Sequence, residues 1–180
     1  MEKSLILCGL LFLLISFQCH SQEDQVSDNF AYRSFSISPF GIYAGGSNGV
    51  TVSGDVSFDY GKNIFSLGLG AGTEGNVIGK NHDFFEVNFL YGRSIPLSGK
   101  IFTDIFIGAG YFHFNTFGFI PEIGRSGDIS EKTIGFPIGA KFQFKIGPRY
   151  SMGLKLGANI NSVETIGTLG LVLQWNKKRN

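Results

Sequence analysis

The chain's acid/base potential rests on its three histidines, of which His20 belongs to an apolar leader. His82 precedes Asp83, and an imidazole beside a carboxylate is half of an acid/base pair. Ser126, in a later polar stretch, is the hydroxyl that could approach it, although no spacing fixes the contact. His113 lies in Tyr111-Phe112-His113-Phe114-Asn115-Thr116, where Asn115 occupies the place two residues on. An amide there cannot form the acyl intermediate that a serine forms. The reading preferred for His113 is therefore an interfacial side chain bonded to headgroups, and for His82 an ordinary polar loop residue. Cys8 and Cys19 are the only cysteines and both fall in the leader, so the processed chain has no thiolate nucleophile, thiolate metal site or disulfide. No metal-ligand spacing stands out, and the glycines of Gly68 to Gly75 are followed by no helix that would make a phosphate loop. No catalytic residue is assigned, no cofactor or metal is implied, and the chain is not read as an enzyme.

The elements that must position these residues are strands. Lys3 and the apolar run Leu5 to Phe17 form a secretory signal peptide, too short to span a bilayer as a helix, with cleavage expected after Ser21. Gln18 stands where a lipidated Cys19 would need a small residue, which disfavours a lipoprotein. The expected layout is a signal peptide at 1–21, a lead-in at 22–31, a barrel at 32–176 and a basic tail at 177–180. One body is the prior for 180 residues, and a formal net charge of +1 leaves no footprint for nucleic acid. Gly at 26 residues, Phe at 19 and charged residues at only 16% point to all-β or membrane structure.

From residue 32 the pattern has period two, broken by Gly, Asn, Asp, Pro and Ser clusters. Strands are expected at 32–44, 50–60, 64–73, 83–93, 101–114, 133–145, 150–160 and 165–175. The sixth is the clearest, with Ile134, Phe136, Ile138, Ala140, Phe142 and Phe144 on one face and Gly135, Pro137, Gly139, Lys141, Gln143 and Lys145 on the other. The first is irregular: Phe35 and Ile37 share a phase with Tyr43, and Pro39 marks a bulge or bend.

Alternation alone does not say which face is outside; volume does. Roughly forty large apolar side chains cannot fit inside an eight-stranded barrel, which has room only for modest ones. The other face mixes glycines with Asp55, Asp59, Glu86, Asp104, Lys141, Lys145 and Lys155, which suits a narrow interior where opposite charges pair. The apolar face therefore meets lipid, and the fold expected is an eight-stranded antiparallel transmembrane up-and-down β-barrel.

Connections at 61–63, 94–100 and 146–149 are short, and those at 45–49, 74–82, 115–132 and 161–164 lie at the other, external end. This topology puts Tyr60, Tyr91, Tyr150 and Trp175 at the periplasmic ends of the outward faces and Tyr43 and Tyr111 at the external ends, an aromatic girdle that only Tyr32 breaks. The segment 115–132, with Phe117, Phe119, Ile120, Pro121, Glu122, Arg125 and Asp128, is a long loop and the expected contact surface for an external partner.

The last strand, Thr168-Leu169-Gly170-Leu171-Val172-Leu173-Gln174-Trp175, resembles the assembly signal of outer-membrane β-barrel families, with Asn176 to Asn180 following its aromatic. The mature chain resembles, in layout, the small OmpX-like and PorT-like barrels of Gram-negative bacteria. The resemblance implies insertion into outer-membrane lipid by a barrel-assembly machine and a structural or surface-interaction role. Two other readings compete with it. One is a lipid-modifying enzyme, since His113 resembles part of the His-x-Ser pair of a lipid A deacylase family of the same barrel size, with Asn115 in the serine's place. The other is a soluble ligand-binding barrel, which would carry its apolar face inside.

Overall fold

A computed structural model describes residues 29–75, 80–120 and 125–177, with side chains placed throughout except at 80, 118–120 and 125–127. The expected signal peptide, most of the lead-in and the end of the basic tail lie outside the described residues. Eight strands run β1 Ala31–Ala44, β2 Asn48–Tyr60, β3 Asn63–Thr73, β4 Lys80–Pro96, β5 Ile101–Ile120, β6 Arg125–Lys145, β7 Tyr150–Ile160 and β8 Ile166–Asn176. Each pairs antiparallel with its sequence neighbours, and β8 closes on β1. Closure removes the sheet edges that an open sheet would expose.

The period-two reading holds around the barrel. Val52, Leu69, Phe89, Ile107, Phe136, Leu154 and Leu171 all point away from the axis and are exposed. Ser36, Asp55, Ser57, Ser66, Asn88, Asp104, Lys141 and Gln174 point inward and are buried. Turn chemistry agrees with the short end. Tyr60 pairs with Asn63 across a two-residue turn whose first residue, Gly61, has φ 62°, a conformation natural to glycine at that place in a type II′ hairpin.

β1 departs from simple alternation twice. Its register against β2 shifts between Tyr32 and Ser34 and again between Ser38 and Gly41, and the second shift recurs against β8 between Ile37 and Gly41. Each bulge inserts one residue and reverses the phase of the residues after it. Pro39, which has no N–H for the ladder, sits in the second. This corrects two placements. Tyr43, expected outside at the external end, faces the axis at 2% exposure. Tyr32, expected to break the girdle, is outside at 42% exposure and meets Phe58 edge-on at 6.2 Å, so it joins the aromatics at the short-turn end.

The third external connection also differs from expectation. β5 and β6 continue as a paired ribbon from Asn115↔Ser130 out to Ile120↔Arg125, so most of 115–132 is strand and not loop. Gly118 and Gly127, which resemble turn residues in sequence, pair with each other across the ribbon. The β-formers Thr116, Phe117, Phe119 and Ile129 carry the ladder past them. β6 finds β7 only from Phe136 onward, leaving its earlier residues with no strand on that side among the described residues.

Inside, glycines set how closely side chains stack. A Cβ on Gly72 would fall on the ring of Phe84, whereas one on Gly68 would lie 3.8 Å from its nearest neighbour, Asp55 Cβ. Overpacking of the first kind costs about 1–3 kcal/mol. Gly72→Ala is therefore expected to lower the barrel's unfolding free energy, measured with urea in micelles, by an amount in that range, and Gly68→Ala to leave it nearly unchanged. Equal stabilities for the two variants would contradict this packing.

Candidate functional surfaces

The interior is a column of polar contacts under an aromatic cap. At the short-turn end Arg33 reaches Asp59 at 3.0 Å, Asp104 at 2.9 Å and Ser94 at 3.2 Å. Arg33 enters the interior only because the first bulge turns it there, which explains why alternation does not place it. Above it Lys141 Nζ donates to both oxygens of Asp55 at 2.6 and 2.7 Å and to Ser36 at 2.8 Å, with the ring of Phe106 at 5.2 Å. A second group links Ser151, Gln143 and Gln174 at 2.6 and 2.7 Å. Higher still, Asn159 donates to Glu86 at 2.6 Å and Lys155 to Ser53 at 2.8 Å. These two contacts border a cavity of about 70 Å³ also lined by Asp55 and Asn88. Such a space is polar enough, and large enough, to hold a few waters.

Tyr43, Phe84, Phe112, Phe114 and Ile166 close the opposite end, that of the longer connections, as one apolar cluster. Phe112 is fully buried there and stacks on Phe84 at 5.8 Å and on Phe114 at 6.3 Å. With the ion pairs below and this cluster above, the barrel is filled with side chains, as eight strands require.

His82 belongs to the top of this cap. Its ring stacks on Phe114 at 5.3 Å, its Nδ1 lies 3.0 Å from Thr116 Oγ1, and its Nε2 is 3.8 Å from Glu74. Successive strand residues point to opposite faces. His82 and Asp83 are therefore on opposite sides of β4, and the structure does not bring them together as an acid/base pair. The Ser126 side chain lies outside the described residues.

His113 is where the sequence places it, on the outward face beside Tyr111, with ring centres 6.3 Å apart. Its Nε2 lies 2.7 Å from Ser130 Oγ, a contact made across the β5–β6 ladder. Local spacing gives no sign of this partner, because the hydroxyl comes from the neighbouring strand and not from position 115. The adjoining outward rungs carry Asn115 opposite both Ser130 and Asp83, and Lys132 opposite His113. Asp83 Oδ1 is buried and has no hydrogen-bond partner among the described residues. Asp83 also borders an open groove of about 480 Å³ lined by Phe40, Val50, Val52, Ala71 and Thr73.

No protein-family model matches the chain, and no curated protein matches it in sequence. Solved structures do match in shape. Neisserial surface protein A superposes with a TM-score of 0.63 at 7% identity, over 86% of this chain and 100% of that one. Ail, the attachment invasion locus protein of Yersinia pestis, crystallised with the heparin analogue sucrose octasulfate, gives 0.51 at 11% identity, over 83% of this chain and 99% of that one. Identities this low speak to fold alone. Closed antiparallel topology, an outward apolar belt, a filled polar interior and these superpositions together give the chain the fold of the small eight-stranded outer-membrane β-barrels.

Proposed function

We propose that the protein is an integral outer-membrane barrel, exported by its leader and inserted by barrel-assembly machinery acting on β8, with a structural or surface-contact role. The observation that carries this reading is the continuous outward belt of Leu, Ile, Val and Phe on all eight strands. Such a surface is insoluble as a monomer in water and stable against acyl chains. The aromatic residues Tyr32, Tyr60, Tyr91, Tyr150 and Trp175 mark the periplasmic boundary of that belt and Tyr111 the external one.

The contact surface is the β5–β6 ribbon at 115–120 and 125–132, which extends past the end of β7 and offers backbone groups on its β7 side. Ail was crystallised with a sulfated ligand. The segment 115–132 carries Glu122, Asp128 and Glu131 against Arg125 and Lys132, a slight excess of negative charge that favours a protein or mixed-charge partner over a polyanion. Cell fractionation tests the whole reading. The protein should require detergent for extraction and should migrate faster on gels before boiling than after. Replacing 117–128 by a short turn should preserve that mobility shift while abolishing surface contact. Release by alkali or salt without detergent would favour a soluble barrel instead.

A further inference from the structure

We propose that Ser130 and His113 form a nucleophilic pair that cleaves acyl esters at the external membrane surface, an activity beyond the contact role above and resting on the same membrane placement. Four observations converge on it. The Ser130 Oγ to His113 Nε2 distance of 2.7 Å is that of a nucleophile hydrogen-bonded to its base. Both side chains are on the outward face, and His113 lies two residues beyond Tyr111 in the direction of the external medium. At about 3.3 Å per residue and the usual strand tilt, that is about 5 Å above the aromatic girdle, among lipid headgroups. Asn115, directly opposite Ser130, offers an amide donor where an oxyanion would develop, and Lys132, opposite His113, offers a cation for a headgroup phosphate. Finally, the apolar groove ending at Asp83 lies two interstrand spacings from Ser130 and can take the acyl chain. Two such spacings amount to about 10 Å.

Asp83 adds a positioning group. Its Oδ1 is buried without a partner among the described residues, and it occupies the outward rung next to the one facing His113. A diagonal spacing of about 7 Å between backbones lets a carboxylate and an imidazole meet.

The reaction balances with water as the only co-reactant. His113 Nε2 accepts the Ser130 proton as Oγ bonds to the ester carbonyl carbon, whose π electrons move to oxygen. Collapse of that intermediate breaks the ester C–O bond, and the departing alcohol takes the proton from the imidazolium. Water, deprotonated by His113, then attacks acyl-Ser130 and releases a carboxylic acid and the free hydroxyl.

The test uses the full barrel refolded in micelles, with a fluorophosphonate probe and a p-nitrophenyl acyl ester. A covalent adduct should map to the peptide bearing Ser130 and vanish in Ser130→Ala, while Ser162→Ala, at an exposed hydroxyl 2.9 Å from Thr133 Oγ1 in the β7–β8 connection, keeps it. His113→Asn should slow ester hydrolysis on the order of 100-fold, the contribution of a general base. Asn115→Ala should lower kcat by a similar factor with KM little changed, as loss of an oxyanion donor does. A sample that shows the heat-dependent mobility shift yet neither labels nor hydrolyses overturns the pair alone, as does an adduct that survives Ser130→Ala. Absence of the mobility shift overturns both readings, because the pair exists only in the β5–β6 register.

Discussion

Lys141→Met is expected to lower the unfolding free energy of the refolded barrel by about 3–5 kcal/mol, the loss typical of a buried ion pair deprived of one member. Lys141 and Asp55 are both buried, and the ammonium binds both carboxylate oxygens. Without it Asp55 keeps hydroxyl donors from Ser36, Ser57 and Ser66 and the more distant charge of Lys155, with no ammonium bonded to its oxygens. Lys155, the other cation lining the cavity, is already bonded to Ser53. Combining Lys141→Met with Asp55→Leu should recover most of the loss, since replacing both members by apolar groups leaves no uncompensated charge. Urea unfolding in micelles measures both. A single variant within about 1 kcal/mol of the parent, on that scale, would mean that Asp55 finds another counter-charge and that the column is not organised around this pair.

Leu154→Arg should cost about 2–4 kcal/mol, the range for a cation on the lipid face near the middle of the bilayer. Leu154 is 49% exposed at the centre of β7, flanked by Phe142 and Leu171. Exposure of that size makes the substitution diagnostic. On a soluble barrel an arginine at an exposed site would change stability by no more than about 0.5 kcal/mol. The measurement is folding in phospholipid vesicles, with the same substitution repeated at Tyr150, near the periplasmic boundary, where the cost should fall to about 0–1 kcal/mol. A cost independent of depth would contradict the placement of the belt.

Much of this architecture is legible in the sequence because a barrel wall obeys one simple rule. In β2, β6, β7 and β8 apolar residues, most of them large, recur at alternate positions, with Gly54 breaking the series in β2, and the volume those side chains demand exceeds what the interior can supply, so their direction follows without coordinates. β1 resists the rule for a local reason. A bulge is a property of the pairing, and the extra residues at Arg33 and near Pro39 show only when Tyr32, Gly41 and Tyr43 are set against β2 and β8. Alternation by itself therefore leaves Arg33 out of the polar interior and sets Tyr43 outside. The β5–β6 ribbon is hidden differently. Gly118, Pro121, Gly124 and Gly127 imitate a long loop, while the partner that makes 115–120 a strand lies in the next segment of chain.

The same logic governs the surface chemistry. His113 stands out as an imidazole near the external boundary, but spacing along its own strand offers it only Asn115. The hydroxyl comes from 17 residues away through the hairpin register. His82 shows the converse, since adjacency to Asp83 in sequence sets the two on opposite faces.

The direction of the apolar face can be read with a single reporter. With Trp175 changed to Phe, a tryptophan placed at Leu69, outward and exposed on β3, should be quenched strongly by phospholipids brominated along their acyl chains and scarcely by iodide in the buffer. Quenching by iodide with indifference to the brominated lipid would show that this wall faces water, and the membrane-barrel account would fail.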